Sequence, residues 1–281
     1  MYTPLPALTD PTLQSEVLYC SLDTQAGGGL LELGLKGQPN VLNTLTASRR
    51  TGIIVRSGPV PYQVLGFPLH TSHQTVGWSA AQTTDFYDTP NPVIYLGGDE
   101  TTRYIRTNLL IETASGIPAE AVLDQWVWLD GPALRVHGEL QLNRFDKAVY
   151  AARIHQLPLV YLTGQYYRPV YYGGDDPFLE LPLSQPLLST EEAVALSATE
   201  NWVALSDSGV NCVGLWSRGQ TDFNVGFLGI PGKGRPGDYP TGYLAITPTK
   251  VLSATERLSF DYALILGSIP TIRTWVYQQP R

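Results

Sequence analysis

The chain has 281 residues, of which 25 are acidic and 18 basic, so its formal net charge is −7 at neutral pH. This balance excludes the clustered lysines and arginines with which nucleic-acid-binding proteins neutralise phosphates. Hydrophobic residues make up 43% of the sequence and charged residues 15%, which excludes intrinsic disorder and allows a sizeable core.

Length and hydropathy favour one large domain over residues 1–281, with the proline-rich residues 1–10 as an extended N-terminal arm. The longest apolar runs, such as residues 262–266, are far shorter than the roughly 20 residues that a membrane helix needs. No signal peptide is recognisable, which predicts a cytoplasmic protein or the mature form of an exported one. Cys20 and Cys212 are too few and too far apart for a disulfide framework, so we expect two inert buried thiols.

The composition predicts a mainly β protein, because 27 glycines and 22 prolines suit short strands and tight turns better than helices. Residues 57–92 show little alternation and are expected to form long loops over one rim. Residues 121–129 and 133–142 predict a hairpin around the turn Asp130-Gly131-Pro132. A third strand is expected at residues 148–156, after the connection 143–147.

Further alternating segments continue to the C-terminus. Strands are predicted at residues 160–163, 166–171, 202–206, 213–216, 224–228, 243–247 and 258–266. Helices are predicted at residues 190–196, where a threonine N-cap precedes acidic residues, and at residues 271–277. A dozen or more antiparallel strands must close into a barrel or form two sheets, and we expect a large two-sheet sandwich.

Several short segments rich in glycine, proline and aromatic residues are spread over the chain, namely Ser57-Gly58-Pro59, Pro61-Tyr62, Gln125-Trp126, Leu129-Asp130-Gly131, Leu157-Pro158, Val160-Tyr161, residues 200–205, 213–216 and 240–243, and the C-terminal residues 264–277. In these segments the chain resembles a group of bacterial and plant proteins that have galactose mutarotase-like supersandwich folds. The resemblance implies a scaffold shared by sugar epimerases, glycoside hydrolase domains and polysaccharide lyases, with saccharides bound on the concave face of a sheet. Fold analogy alone does not establish function.

The chain also departs from the pattern of these proteins. His155-Gln156 precedes Leu157-Pro158 where the pattern has Gln-Glu, so a carboxylate is missing. Ile53 and Ile54 occupy positions at which the resembling proteins have amide side chains. If those polar groups belong to an active site, this chain has a changed or lost activity.

The three predicted neighbouring strands place polar side chains on one face. If Leu129 pairs with Ala133, Gln125 lies opposite His137. If Leu142 pairs with Ala148, Arg153 lies opposite His137 and His155 lies opposite Arg135. The face then gathers Gln125, Arg135, His137, Glu139, Arg153 and His155.

This cluster suits sugar chemistry, because histidine titrates near neutral pH and arginine binds hydroxyls or a uronate carboxylate. We expect four catalytic residues, namely His137, His155, Glu139 and Arg153. We expect four substrate-binding residues, namely Gln125, Arg135, Tyr161 and Arg168. The alternative is the ordinary solvated face of an antiparallel sheet.

Two other sets of residues could carry chemistry. Asp124 is expected on the core face opposite Gly138, as a functional carboxyl or as a structural one beside a bulge. His70 and His73 could bind a metal with Asp85 or Asp88, but without a nearby cysteine or third histidine they are better interpreted as surface residues. We expect no metal and no cofactor. The glycine-rich residues 27–29 and 229–237 lack the setting of a phosphate loop and predict turns.

Together these observations predict a carbohydrate-active protein that binds a sugar or glycan, with lyase or epimerase chemistry. Hydrolysis fits less well because it needs two carboxylates about 5–10 Å apart, and only Glu139 is placed in the cluster. The alternatives are a non-catalytic sandwich that binds a glycan or a protein, and a structural subunit. We expect no nucleic-acid or membrane partner, and the sequence leaves the oligomeric state open.

Overall fold

The computed structural model describes residues 2–62, 64, 76–188 and 193–280. Within these residues the chain forms nineteen β-strands, a short 3-10 turn at Ala47–Arg49 and the α-helix α1 (Ile269–Tyr277). A small antiparallel sheet near the N-terminus consists of β1 (Thr12–Gln14), β2 (Leu18–Asp23) and β3 (Gly29–Leu35).

Fourteen strands form one large antiparallel sheet. Six precede residue 143, namely β4 (Gly52–Ser57), β5 (Trp78–Ala81), β6 (Tyr95–Gly98), β7 (Thr102–Ile111), β8 (Pro118–Asp130) and β9 (Ala133–Leu142). Eight follow it, namely β11 (Gln156–Thr163), β12 (Arg168–Tyr171), β13 (Ala193–Ser197), β14 (Trp202–Ser206), β15 (Cys212–Ser217), β16 (Asp222–Leu228), β17 (Thr241–Ile246) and β19 (Arg257–Gly267). The short strands β10 (Arg153–Ile154) and β18 (Thr249–Lys250) pair with each other.

The large sheet folds back on itself and supplies both layers of a sandwich. The first layer has the order β12-β14-β15-β19-β9-β8-β7, with β6 beside β7, and the second has the order β5-β4-β11-β17-β16-β13. The layers bury one apolar cluster between them, including Val127, Val136, Leu215 and Leu264 of the first layer and Val160, Val225 and Leu244 of the second. Burying these two faces against each other is the main stabilising term of such a fold. The predicted mainly β, two-layer architecture is therefore confirmed.

Helix α1 covers the outer face of the first layer, close to the predicted residues 271–277. Ser268 is its N-cap and accepts a hydrogen bond from the backbone nitrogen of Thr271 at 3.3 Å. Ile272, Trp275 and Val276 pack in one buried cluster with residues of β14, β15 and β19. The capping residue and this apolar stripe explain why the helix forms here.

Two predictions about local structure were wrong. Residues 193–196 of the predicted helix 190–196 belong to strand β13, and its residues 190–192 lie outside the described residues. Half-buried Val194 and Leu196 alternate with exposed neighbours, as in a strand. This two-residue period indicates the structure of the segment better than the threonine that was expected to cap a helix. Of the long loops predicted at residues 57–92, residues 63 and 65–75 lie outside the described residues, and residues 78–81 form strand β5, in which all four residues are buried and no alternation is visible.

The cysteines agree with their prediction: Cys20 and Cys212 are free and buried, and burial raises the pKa of both thiols to about 12. Among the described residues, no helix has the length and hydropathy to cross a bilayer.

Candidate functional site

A cavity of about 350 Å³ opens on the second layer, beside β4, β5 and β11. Its floor includes Gly52, Ile54 and Arg56 of β4, which alternate with the core residues Ile53 and Val55. This volume is in the range of pockets that bind small molecules. The lining residues with polar side chains are Ser48, Arg50, Arg56, Thr83, Thr84, Asp85, Glu112, Gln156 and Tyr161.

Glu112 supplies a buried carboxyl group to this cavity. It follows β7, where its backbone nitrogen donates to the carbonyl of Ser79 at 2.9 Å. The hydroxyl of Ser79 donates to Oε2 of Glu112. Burial raises the pKa of Glu112, against the smaller opposing effects of Arg56 and Ser79. A carboxyl with a raised pKa can both accept and return a proton at moderate pH.

Asp85 also lines the cavity, but its carboxylate is engaged in holding a loop. Its Oδ1 accepts from the backbone nitrogens of Tyr87 at 2.8 Å and Thr89 at 3.1 Å. Its Oδ2 accepts from the backbone nitrogen of Gly116 at 2.6 Å. Glu112 is therefore the better candidate for proton transfer.

Tyr161 of β11 contributes a phenol to the cavity. Burial raises its pKa; the guanidinium of Arg49 opposes this, and the carboxyl of Glu112 adds to it. A phenol with a raised pKa stays protonated at neutral pH and can donate a hydrogen bond.

Two arginines place positive charge in the cavity. Arg50 is fixed, because its Nε lies 2.9 Å from Oδ2 of Asp23 and its Nη1 donates to the carbonyl of Thr46 at 3.1 Å. Arg56 donates from Nη1 to the carbonyl of Ile154 at 3.4 Å. It forms no ion pair with any carboxylate of the described residues. Arg56 is thus available to an electron-rich ligand.

The polar cluster predicted from the sequence does not form, because the hairpin register differs by one residue. Asp130 pairs with Ala133, so Trp126 lies opposite His137 and Gln125 lies opposite Gly138. A shift of one residue moves a side chain to the other face of a sheet. Gln125 consequently points into the interior, where its Oε1 accepts from Nε2 of Gln82 at 2.6 Å.

The predicted third strand at residues 148–156 was also wrong. β19 occupies the place beside β9, and it pairs Asp261 with His137. Arg153 lies in β10 instead, and His155 precedes β11. The structure therefore separates Arg153 and His155 from His137.

His155 is enclosed and held in its neutral form. Its Nδ1 accepts from the backbone nitrogen of Arg56 at 3.1 Å, and its Nε2 lies 3.2 Å from the carbonyl of Lys250. Burial lowers its pKa to about 4, and the cations of Arg56, Lys250 and Arg153 act in the same direction. This environment indicates a structural role.

His137, Glu139 and Arg135 do share one face, on the outer side of the first layer. Nδ1 of His137 lies 2.8 Å from Oδ1 of Asp261, and Nε2 lies 3.5 Å from Oε1 of Glu139. The guanidinium of Arg135 lies over the rings of Trp128 and Trp275. These residues are on the other layer from the cavity.

The remaining candidates are scattered. Of the predicted site residues, Tyr161 lines the cavity. Arg168 lies on β12, over the ring of Tyr167. Asp124 was expected in the core but lies opposite Glu139, half-buried, where Oδ1 accepts from the hydroxyl of Tyr104 at 2.5 Å. No register shift marks a bulge at Gly138.

Sequence reasoning missed Glu112, Arg50 and Arg56. The segment around Arg50 and Arg56 carried a signal, since the neighbouring Ile53 and Ile54 stand where the resembling proteins have amide side chains. Glu112 directly follows an apolar strand, and no motif or alternation of polar residues in the sequence marks it as a site residue. His70 and His73 lie outside the described residues; among the described residues no three His, Cys, Asp or Glu side chains are grouped as metal ligands.

Comparisons with known proteins identify the fold. No family model matches the chain, and no curated protein matches it. A galactose mutarotase-like protein from Lactobacillus casei superposes with a TM-score of 0.58 at 12% identity, over 92% of this chain and 100% of that one. The Slr1438 protein of Synechocystis sp. PCC 6803 gives 0.56 at 14% identity, over 95% and 98%.

A third solved structure is a galactose mutarotase related enzyme from Lactobacillus acidophilus, with a TM-score of 0.53 at 11% identity, over 92% of this chain and 98% of that one. Each superposition covers nearly all of both chains. The chain therefore has the fold of the galactose mutarotase-like proteins.

Proposed function

We propose that the cavity binds an aldose and that Glu112 and Tyr161 transfer the protons needed to interconvert its anomers. The observation that carries this proposal is the buried carboxyl of Glu112, with its raised pKa, in a sugar-sized cavity that also presents Tyr161 and the guanidinium of Arg56, which forms no ion pair within the described residues. The names of the similar structures support the same substrate class.

The proposed reaction opens and closes the sugar ring. Ionised Glu112 removes the proton from the hydroxyl on C1, the bond between C1 and the ring oxygen breaks, and Tyr161 protonates the ring oxygen. The aldehyde rotates about its C1–C2 bond, and the reverse transfers close the ring as the other anomer. Arg56 stabilises negative charge that develops on oxygen during these steps.

Anomer exchange can be measured directly. Polarimetry of freshly dissolved α-D-galactose and α-D-glucose, or saturation transfer between their anomeric protons, gives the rate. Glu112→Gln and Tyr161→Phe should each reduce the enzymatic rate by about a hundredfold or more, the usual effect of losing a general acid or base. The matched control is Glu32→Gln, an exposed carboxylate on β3, which should react as the wild type does. An unchanged rate in Glu112→Gln would refute the assignment.

A second candidate function is sugar binding without catalysis. Neither of the two histidines in the described residues, His137 and His155, lines the cavity. Ile54, which replaces an amide of the resembling proteins, lines the floor. Calorimetric binding of an aldose that is lost in Arg56→Ala, with no acceleration of anomer exchange by the wild type, would select this alternative.

A further inference from the structure

The N-terminal arm covers a second set of polar and aromatic side chains, on the outer face of the first layer. Trp126, His137 and Asp261 lie in one row across β8, β9 and β19. The ring of Tyr2 stacks on the imidazole of His137, with centroids 3.9 Å apart and planes at 14°. It also lies 5.2 Å from the ring of Trp126.

The covered imidazole has one unsatisfied nitrogen. His137 is only 7% exposed, and Nδ1 is engaged by Asp261 at 2.8 Å. Nε2 is buried without a hydrogen-bond partner among the described residues. The nearest carboxylate oxygen, Oε1 of Glu139, is 3.5 Å away. A buried polar atom without a partner is unfavourable, and Tyr2 buries this one without satisfying it.

The tip of the arm is held by few contacts. Nε1 of Trp126 donates to the carbonyl of Thr3 at 3.0 Å, and Tyr2 itself remains 44% exposed. The next anchors are the hydroxyl of Tyr95, which donates to the carbonyl of Leu5 at 2.9 Å, and the bridge between Ala7 and Gly97. One hydrogen bond and the ring contacts of Tyr2 thus hold residues 2 and 3 on this face, whereas the backbone from Leu5 onward has its own anchors.

We propose that Tyr2 occupies a pyranose-binding subsite and that a saccharide binds there by displacing it. A pyranose ring presents apolar C–H faces to the imidazole of His137 and the indole of Trp126. One hydroxyl fits between Nε2 of His137 and Oε1 of Glu139, and another replaces the carbonyl of Thr3 at Nε1 of Trp126. This subsite lies on the other layer from the cavity and does not depend on the function proposed for it.

The chemistry of the surface favours a sugar over an aromatic side chain of another protein. Around the ring position lie two carboxylates, an imidazole nitrogen and an indole N–H, all able to bond to hydroxyls. A second aromatic residue would repeat the stack of Tyr2 and leave Nε2 unsatisfied. A hydroxylated ring keeps the stack and satisfies that nitrogen.

NMR of the full chain can test this subsite. The Cε1–H resonance of His137, assigned by its loss in His137→Gln, is followed while methyl β-D-galactopyranoside, methyl α-D-mannopyranoside, methyl β-D-glucopyranoside or maltotriose is added. In Tyr2→Ala we expect a saturable shift with a Kd about two- to tenfold lower than in the wild type, because the sugar no longer competes with one stacked aromatic pair. Tyr2→Phe, which keeps the stack, should bind as the wild type does.

The proposed hydrogen bond between a sugar hydroxyl and Glu139 can be tested separately. Glu139→Gln in the Tyr2→Ala background should weaken binding, since the amide replaces a charged acceptor. Near-ultraviolet circular dichroism verifies that each variant is folded. The proposal is overturned if no probe shifts His137 in Tyr2→Ala, in which case the arm is only a structural clamp. It is also overturned if Tyr2→Ala binds no better than Tyr2→Phe, or if Glu139→Gln leaves the Kd unchanged.

Discussion

The carboxylate of Glu200, which has no exposed surface, is bound by the guanidinium of Arg273 on helix α1. Nε of Arg273 donates to Oε2 at 3.3 Å and Nη2 donates to Oε1 at 3.2 Å. The same carboxylate accepts from Nε1 of Trp202 at 3.0 Å and from the hydroxyl of Tyr277 at 2.7 Å. One acidic residue thus joins the helix to the sheet beneath it.

We expect Glu200→Gln to lower the free energy of unfolding by about 3 kcal/mol or more, because the guanidinium of Arg273 would stay largely buried without a counter-ion. Urea denaturation measures this change. Glu32→Gln, which removes an exposed carboxylate, should alter stability by less than about 0.5 kcal/mol. Equal urea midpoints for Glu200→Gln and the wild type would contradict the assigned role.

The neutral imidazole of His155 should make stability depend on pH. Its pKa is lowered to about 4 in the folded protein and is about 6.5 in an unfolded chain, so the unfolded chain binds more protons between these values. Neutral His155 therefore contributes fully to the free energy of unfolding above about pH 6.5, and this contribution is lost as the pH falls towards 4. For a buried group it amounts to at most about 3 kcal/mol. Urea midpoints at several pH values measure it.

His155→Gln keeps an acceptor for the backbone nitrogen of Arg56 but cannot be protonated. The pH dependence of its stability should therefore be shallower than that of the wild type between pH 4 and 6.5. Carboxylates titrate in the same range in both proteins, so the difference between the two curves isolates the histidine. Superimposable curves would show that His155 does not carry this effect.

Alternation and turn residues predicted much of the fold. Strands β9 and β14 begin and end at the predicted residues, and most other predicted strands differ from the structure by a few residues. The predicted register of the β8–β9 hairpin was wrong because Asp130-Gly131-Pro132 predicts a three-residue turn. The structure pairs Asp130 with Ala133, so the turn is only Gly131 and Pro132, with Gly131 at a φ of 57°. This difference of one residue in the length of the turn decides which face of the sheet carries the side chain of Gln125.

The candidate cavity was harder to predict from the sequence than the strands were. It combines β4, β5, β11 and the end of β7, and pairings between distant segments leave no local pattern in the chain. β19 beside β9 is a similar case, since its residues follow β9 by more than a hundred positions. Tyr161 was predicted because it is one of several aromatic residues that can stack on a sugar ring, whereas Glu112 belongs to no such pattern.

Gln125 allows a test of the observed register. Its side chain is 4% exposed and binds Gln82, whose Oε1 accepts from the backbone nitrogen of Ile53. Gln125→Leu should lower stability by about 1 kcal/mol or more, because a buried amide of Gln82 loses a partner. Sugar binding and anomer exchange should not change. The control Gln141→Leu removes an exposed amide from β9; reduced sugar affinity in Gln125→Leu alone would favour the register predicted from the sequence.

Gly138 lies beneath the ring of Phe260 on the neighbouring strand β19, and a Cβ atom at this position would overlap Cζ and both Cε atoms of that ring. Gly138→Ala should therefore lower the free energy of unfolding by about 1–3 kcal/mol, as overpacking does in well-packed interiors. Gly237→Ala is the control, because nothing lies within 4 Å of its added methyl group. If the ring is the cause, Phe260→Leu should remove part of the cost, and the double variant should be more stable than the sum of the two single changes predicts. Strict additivity in urea denaturation would mean that the glycine is needed for another reason.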